Sequence, residues 1–398
     1  MWRWKEAQTE VLSRRTCVSK KWLVDVSSFG VTDPPRQIEY SPHCPGVLAV
    51  GSFGGDVAIS RFHDSAPAHR TVGNVEGTLR DRGQREAGWR LGTPEGQNDA
   101  DDDAEDANEQ AAPDLNDKGP VVALQWLRHR SELLFAANTQ SNGRSTITVL
   151  KWDGDIGLTL LSSDPTDLPF LNSMSINATD ELMLFAGGEM VTVVDMSTGV
   201  RVLTNRWHSA LVNSPSFANE HPAMFATASL DGQAALWDVR MGMQRPAWRR
   251  ALTWGGLMAQ WSSRDDRLLV AGCDNRVVQL ASTDGCVRNE LELEPISDSA
   301  NYTKAAYTAC GSFVASVSRL EDELRLSCAC SGELVAAYRV RDKRPFESLN
   351  SFTRICRPDP FHPYRFAVVV DGPRAVGANQ DSACAYAIDL PLATPWKG

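Results

Sequence analysis

The fold of this chain is decided by the stretch from Phe225 to Arg240, which runs Phe-Ala-Thr-Ala-Ser-Leu-Asp-Gly-Gln-Ala-Ala-Leu-Trp-Asp-Val-Arg. The small residues from Ala226 to Ser229 predict a strand that lies close against its neighbours. Asp231 and Gly232 predict a hairpin turn, because glycine tolerates the positive φ that such turns require. The residues up to Trp237 form the returning strand, so the stretch predicts an antiparallel strand pair.

Weaker copies of this strand-turn-strand pattern recur along most of the chain. With the first stretch they make seven copies, which start about 36 to 50 residues apart except for one longer gap. The starts lie near Arg36, Pro120, Leu171, Trp207, Gly256, Asn301 and Ser351. Repeats of about 40–45 residues are typical of four-stranded propeller blades, and a closed ring of blades leaves only short, protected edges. We therefore predict an all-β, seven-bladed propeller, in which Lys21 to Val26 supplies the outer strand of blade seven.

The segment from His208 to Arg240 closely resembles a WD repeat. This resemblance covers nearly all of the chain outside one insertion, and it implies a propeller of the WD40 type. It also implies that His208, Ser229, Asp231 and Trp237 form the family's hydrogen-bonded tetrad, in which imidazole, hydroxyl, carboxylate and indole satisfy one another inside the blade.

The longer gap lies between the first and second copies and carries an insertion. Its distal part, from Glu95 to Lys118, contains ten acidic residues and one base, which is nearly the whole net charge of −10. The rest of the chain is close to neutral, so we expect no general attraction to nucleic acid or to an anionic membrane. Few large apolar side chains occur from Asp64 to Lys118, and we predict a disordered loop there, with a docking segment for a basic partner as the alternative. Part of Ala68 to Val75 is a candidate outer strand of blade one.

The predicted organisation has five parts. These are an N-terminal extension (1–21), the closing strand with blade one (22–63), the acidic insertion (64–118), blades two to seven (119–390) and a C-terminal tail (391–398). The sequence contains no run of about 18 apolar residues, so it predicts no membrane span. Nine scattered cysteines in a chain of 398 residues are typical of a reducing compartment, so we expect the nucleus or the cytoplasm.

His208, Ser229 and Asp231 are also the residue types of a nucleophilic triad. A triad serine must be exposed beside an oxyanion hole, whereas Ser229 lies in a small-residue strand, and this context favours the structural role. No P-loop, HExxH, GxSxG or kinase signature occurs, and Cys328 and Cys330 lack a second pair of zinc ligands. We expect no enzymatic activity, no cofactor and no metal. A hydrolase that uses the propeller channel stays as the less favoured alternative.

The ending from Trp237 to Arg240 is similar to a box in WD-repeat substrate receptors of cullin-4 RING ubiquitin ligases. Those receptors bind the ligase's propeller-shaped adaptor through this blade. The chain also resembles plant and algal transducin-like WD proteins that are nominated as such receptors. The resemblance implies that Trp237, Asp238 and Arg240 are candidate adaptor-binding residues. In the other interpretation, Arg240 braces the loop of its own blade. A second box is missing, because no arginine follows Trp152 and Asp153 at the matching position.

These patterns predict a non-enzymatic scaffold for protein partners, monomeric within a complex and without direct nucleic-acid or membrane contacts. The most specific form of this prediction is a substrate receptor of a cullin-4 ligase, whose partners are the adaptor and the substrate. A scaffold subunit of another multiprotein assembly is the alternative. Copurification of a ligase adaptor distinguishes the two.

Overall fold

The structure is a computed structural model that describes most of the repeat region. The described residues are 20–24, 33–61, 70–74, 118–154, 158–166, 168, 170–242, 244–295, 302–318, 323–339, 353–371 and 383–390. Within them the chain forms seven antiparallel sheets of four strands each. The helical element among these residues is a single 3-10 turn, Val239–Met241. The predicted all-β, seven-bladed propeller is therefore confirmed.

Each blade consists of four consecutive strands, except that the blade made by the two ends of the chain takes its fourth strand from the N-terminus. The closing strand and blades one to three are β1 (Lys20–Val24); β2 (Pro35–Tyr40), β3 (Val47–Ser52), β4 (Val57–Arg61), β5 (Arg70–Asn74); β6 (Val121–Trp126), β7 (Leu133–Thr139), β8 (Ser145–Trp152), β9 (Leu158–Thr166); β10 (Leu171–Ile176), β11 (Leu182–Gly187), β12 (Met190–Asp195) and β13 (Arg201–Asn205). Blades four to seven are β14 (Ser216–Phe217), β15 (Met224–Ala228), β16 (Gln233–Asp238), β17 (Trp248–Ala251); β18 (Gly256–Trp261), β19 (Arg267–Gly272), β20 (Val277–Ala281), β21 (Val287–Glu290); β22 (Thr303–Tyr307), β23 (Phe313–Ser318), β24 (Glu323–Cys328), β25 (Leu334–Arg339); β26 (Thr353–Pro358), β27 (Arg365–Asp371) and β28 (Ala383–Asp389).

The ring closes by pairing the two ends of the described chain. β1 lies antiparallel to β28, with Lys20 opposite Asp389 and Val24 opposite Ala385. The strand order of this sheet is β1, β28, β27, β26, so β1 is the outer strand of blade seven. β1 overlaps the predicted stretch Lys21 to Val26, but it begins one residue earlier and ends two residues earlier.

The core of the protein lies between the blades. Seven clusters of buried apolar side chains occur among the described residues, and each cluster draws on two neighbouring blades. The second and third strands of a blade are covered on both faces: all six residues of β3 are buried, whereas the outer strand β13 alternates between half-buried and exposed. Apolar area removed from water therefore stabilises the ring only where blades stand side by side.

The ring has two faces, which we name after residues of blade four. Because neighbouring strands are antiparallel, the connections from first to second strand and from third to fourth strand emerge on one side, here called the Arg240 face. The hairpins from second to third strand and the links between blades emerge on the other side, here called the Asp231 face. The seven innermost strands surround a central cavity of about 800 Å³.

Several sequence predictions fall outside the described residues. These are the N-terminal extension up to residue 19, the acidic insertion from 75 to 117 and the tail from 391 to 398. The proposed boundaries of the five parts stay predictions. The candidate outer strand of blade one is confirmed as β5, and at the far end of the insertion the Lys118 ammonium contacts Asp56 at 2.9 Å.

We expect the closing strand to be essential for stability. Deletion of residues 1–24 exposes one edge of β28 and leaves blade seven with three strands, because β1 is removed. Since ~1 kcal/mol shifts the melting temperature of a domain of 150–250 residues by about 2–4 °C, loss of a whole strand should lower it by at least about 5 °C. Deletion of residues 1–19 is the control and should leave the melting temperature unchanged. Equal melting temperatures for the two truncations would contradict this prediction.

Candidate functional site

Blade four contains the predicted hairpin. β15 and β16 pair antiparallel, with Phe225 opposite Trp237 and Thr227 opposite Ala235. Gly232 lies in the turn between them with φ of +75°, which is the left-handed conformation expected of a glycine there. The same register places the side chains of Phe225, Thr227 and Trp237 on the face of the sheet that packs against blade three.

A chain of three hydrogen bonds runs through the blade from Trp237 to Asp231. The indole Nε1 of Trp237 donates to Oγ1 of Thr227 at 3.0 Å, and this Oγ1 lies 2.8 Å from Nε2 of His208. The other ring nitrogen, Nδ1, lies 2.8 Å from Oδ2 of Asp231. An ionised carboxylate only accepts hydrogen bonds, so we assign the ring proton to Nδ1 and let the threonine hydroxyl donate to Nε2. One hydroxyl group thus satisfies both rings.

The structure corrects the predicted tetrad at one position: the hydroxyl is supplied by Thr227 and not by Ser229. Side chains on one face of a strand alternate with a period of two, and Thr227 follows Phe225 on the face that carries Trp237. Ser229 lies beyond the end of β15, where its Oγ donates to the carbonyl of Ala210 at 3.0 Å and accepts from the backbone N of Asp231 at 3.2 Å. The period of two from Phe225 was the sequence signal that could have identified Thr227.

His208 is almost fully buried, at 3% exposure. Burial lowers the pKa of its imidazole, and the hydrogen bond and charge of Asp231 oppose this shift without cancelling it. The imidazole is therefore neutral near pH 7, which agrees with a ring that accepts at Nε2 and donates at Nδ1. The tetrad is a network of buried polar groups that all have partners.

The tetrad does not have the geometry of a nucleophilic triad. Activation of a serine requires a hydrogen bond from its hydroxyl to the histidine base. The ring nitrogens of His208 instead bond to Thr227 and Asp231, and Ser229 is fully buried with its hydroxyl directed to a backbone carbonyl. This arrangement argues against the hydrolase interpretation at this position.

The central cavity contains a few charged and thiol groups. The Arg357 Nε lies 3.0 Å from a Glu39 carboxylate oxygen, and burial lowers the pKa of the nearby Lys304 to about 8. Cys356 also lines the cavity, but burial raises the pKa of its thiol to about 12, so the thiolate that a nucleophile needs is not formed near pH 7. The imidazole Nε2 of His43 lies 2.8 Å from the carbonyl oxygen of Leu127.

The end of β16 forms a rigid corner on the Arg240 face. Asp238 caps the 3-10 turn by accepting the backbone N–H of Arg240 at 3.0 Å. The same carboxylate accepts two bonds from the guanidinium, from Nε at 2.9 Å and from Nη2 at 2.6 Å. These bonds lower the pKa of Asp238, while the Arg240 side chain stays 74% exposed. The corner thus presents an outward guanidinium in one fixed orientation.

Of the three predicted adaptor-binding residues, only Asp238 and Arg240 reach the surface. Trp237 is 2% exposed and packs against Phe225 and Trp207 inside the blade, so direct contact with a partner is ruled out for it. Sequence analysis missed Met241, the neighbour of Arg240, which is 73% exposed. An apolar side chain this exposed beside a fixed arginine is a candidate contact residue, and its sequence position gave no sign of that exposure.

Two further observations concern the described part of the chain. No group of three or more His, Cys, Asp or Glu side chains in it could hold a metal ion. No helix within the same residues is long and apolar enough to cross a membrane.

Comparison with known proteins supports the architecture. No family model matches the sequence. One relative is the Arabidopsis thaliana protein DWD HYPERSENSITIVE TO UV-B 1, which is 25% identical over 349 residues. The aligned region is 84% of this chain and 38% of that protein, so the chain spans well under half of its relative's length. The chain folds as a seven-bladed β-propeller that resembles WD-repeat proteins. The seven-bladed ring and this relative together confirm the resemblance inferred from the repeats.

We expect Thr227 to matter more for the stability of the propeller than Ser229. Thr227→Val leaves the indole N–H of Trp237 and Nε2 of His208 without a partner, and each buried unsatisfied group costs about 1–3 kcal/mol. The free energy of unfolding in urea should fall by about 2–4 kcal/mol for Thr227→Val and by about 1 kcal/mol for Ser229→Ala. Thr227→Ser keeps the hydroxyl and is the matched control. A larger loss for Ser229→Ala than for Thr227→Val would restore the original tetrad assignment.

The buried imidazole also predicts a pH dependence. The pKa of His208 is lower in the folded protein than its ordinary value of 6.5, so the unfolded chain binds more protons below that pH. The stability that depends on the neutral ring is complete above about pH 6.5 and is lost as the pH falls toward the folded pKa. The stability difference between wild type and His208→Gln, measured by urea denaturation, should therefore shrink between pH 7.5 and 5. A constant difference over this range would show that His208 does not titrate as proposed.

Proposed function

We propose that this propeller is a non-enzymatic substrate receptor of a cullin-4 RING ubiquitin ligase. In this proposal it binds the ligase's propeller-shaped adaptor through the Arg240 face of blade four. The observation that carries the proposal is the exposed guanidinium of Arg240, which Asp238 holds through two side-chain bonds. The opposite, Asp231 face is left for the substrate.

The fixed orientation of Arg240 favours a role in binding. A free arginine side chain loses much conformational freedom when a partner immobilises it, and this loss weakens association. At the corner of blade four the bonds to Asp238 already restrict part of that freedom. Because Nε and Nη2 donate to Asp238, the N–H groups on the Nη1 side of the guanidinium are the ones that can meet carboxylates or carbonyl oxygens of a partner.

The bracing interpretation explains less. The pair formed by Asp238 and Arg240 does exist, so Arg240 does contact its own blade. An ion pair with so exposed an arginine contributes little to stability, because water competes with it and salt screens it. The pair therefore adds little to the stability of the blade, and the bracing interpretation leaves the exposure of the Arg240 side chain unexplained.

Met241 adds an apolar component to the same surface. Its side chain follows Arg240 in the chain and is 73% exposed. Interface hot spots typically combine an arginine or aromatic anchor with surrounding contacts that exclude water. The adjacent arginine and methionine fit such a pattern, and burial of Met241 by a partner would also exclude water from the Arg240 contact.

The protein-interaction role in general has broader support than the specific receptor role. A rigid ring with loops on two faces suits binding of two partners at once. The similarity to the Arabidopsis protein DWD HYPERSENSITIVE TO UV-B 1 supports the receptor proposal. A scaffold in another assembly uses the same architecture, and it differs from a receptor in that no ligase adaptor binds.

We expect Arg240→Ala to weaken adaptor binding about thirtyfold without unfolding the protein, as for an arginine hot spot. Binding of purified adaptor should be measured by calorimetry, with the melting temperature recorded in parallel. Arg250→Ala is the matched control, because Arg250 is an exposed arginine on the outer strand of the same blade. Its affinity for the adaptor should equal that of the wild type.

Two results would contradict the proposal. If Arg240→Ala lowers the melting temperature strongly, Arg240 serves its own blade, and the bracing interpretation is correct. If the wild-type protein does not bind the adaptor at micromolar concentration, the receptor role is lost and the general scaffold role is what survives.

A further inference from the structure

The loop between the first and second strands of blade four, Ala218–Ala223, is held by an aspartate of the next blade. The carboxylate of Asp265 accepts the backbone N–H of Asn219 at 2.8 Å, of Glu220 at 2.6 Å and of His221 at 3.2 Å. Its side chain is 2% exposed, so water does not compete for these bonds. A buried carboxylate that accepts several amide hydrogens makes strong, charge-assisted bonds.

This loop is in direct contact with the Arg240 corner. The backbone N of Val239 donates to the carbonyl of Ala223 at 2.9 Å, and the backbone N of Met224 donates to the carbonyl of His221 at 3.0 Å. The nearest of the amides that Asp265 fixes, that of His221, is two residues along the chain from the carbonyl that anchors the 3-10 turn. Because Arg240 belongs to that turn, a displacement of the loop also displaces the backbone from which the Arg240 side chain extends.

The loop is also fixed from the opposite side of blade four. Asn177 of blade three donates through Nδ2 to the carbonyl of Pro222 at 3.1 Å. Arg128 of blade two donates from Nη1 to the carbonyl of Asn219 and from Nη2 to its Oδ1, both at 2.8 Å. Four blades thus share one hydrogen-bonded network beneath the corner, and Asp265 supplies its carboxylate.

The turn that contains Asp265 shows why an aspartate matters there. Equivalent turns in three blades place a residue with positive φ two positions before the second strand: Asp180 at +58°, Asp265 at +55° and Gly311 at +66°. Glycine suits this conformation without strain, so backbone geometry alone does not call for aspartate. A Cβ built on Gly311 would point toward Ser263 in the loop of the preceding blade, at 3.9 Å from its Oγ. The side chain at this position therefore faces the neighbouring blade, and an aspartate there can cap that blade's loop.

We propose that Asp265, in blade five, is a positioning residue that fixes the Val239–Gly242 turn of blade four and thereby presents Arg240 to the adaptor. The part of this inference that concerns adaptor binding rests on the proposed function. The part that concerns the fixation of the turn rests on the hydrogen bonds described above. Nothing in the sequence around Asp265 marks it as part of the box, because it acts from another blade.

The test uses the full chain carrying Asp265→Gly, which keeps the positive φ and removes the carboxylate. Asp359→Gly is the control: Asp359, in blade seven, is likewise buried and caps its own loop, with bonds of 2.8 Å from Phe361 N and 3.3 Å from His362 N. Two quantities are measured: amide hydrogen exchange across residues 219–223 and 239–242, and the dissociation constant of the adaptor. For Asp265→Gly we expect exchange in both segments and the dissociation constant to rise about tenfold, and for Asp359→Gly we expect less than about twofold.

The outcomes separate this inference from the proposed function. Unchanged amide exchange at residues 239–242 in Asp265→Gly would overturn the positioning role, whether or not the dissociation constant of the adaptor changes. Faster exchange with an unchanged dissociation constant would show that the turn is fixed by Asp265 but that its order does not serve binding, which overturns the functional half. If the wild type binds no adaptor, the proposed function fails, and the exchange data alone decide the positioning role. Asp265→Asn, which keeps one accepting oxygen, should lie between Asp265→Gly and the wild type.

Discussion

The whole structure depends on the fact that a blade of this protein is apolar on both faces. A four-stranded sheet with one wet face could be stable with a single neighbour, but here the middle strands, such as β3, are buried along their full length. Each blade must therefore lie between two others, and a row of blades would leave an apolar face at each end. Closure into a ring removes both ends. The pairing of β1 with β28 ties this closure to the two ends of the described chain.

Blade four uses the alternation of a strand to connect the interior with the surface. Trp237 points into the cluster between blades three and four, where its indole donates to Thr227. The next residue, Asp238, ends the strand, and its carboxylate holds the guanidinium of Arg240 on the outside. Two consecutive residues thus fix the hairpin in the core and aim a charged group at solvent. The stability of the blade and the geometry of the proposed binding surface share the same short segment.

Polar contacts on the Arg240 face link blades that the apolar clusters join only in pairs. Arg128 extends from blade two to Asn219 in blade four, and Asn219 in turn bonds to blade five through Asp265 and the carbonyl of Ser262. Burial lowers the pKa of Arg128, while the charges of Asp180 and Asp265 favour its protonated form. These side chains make the loops of one face a common surface, so the position of one corner depends on residues several blades away.

The sequence by itself determined the repeat and the number of blades, because strand alternation, turn glycines and repeat spacing are local signals, and its resemblance to a WD repeat implied three of the four tetrad members. It also predicted the exposed arginine at the end of the box. The tertiary structure decided that Thr227 and not Ser229 completes the tetrad, since hydrogen bonding depends on which strand face meets Trp237. It also decided that Met241 is exposed and that Asp265 caps a loop of another blade. The contact of Asp265 arises where distant segments pack together, and no spacing along one chain specifies it, whereas the period of two from Phe225 already pointed to Thr227.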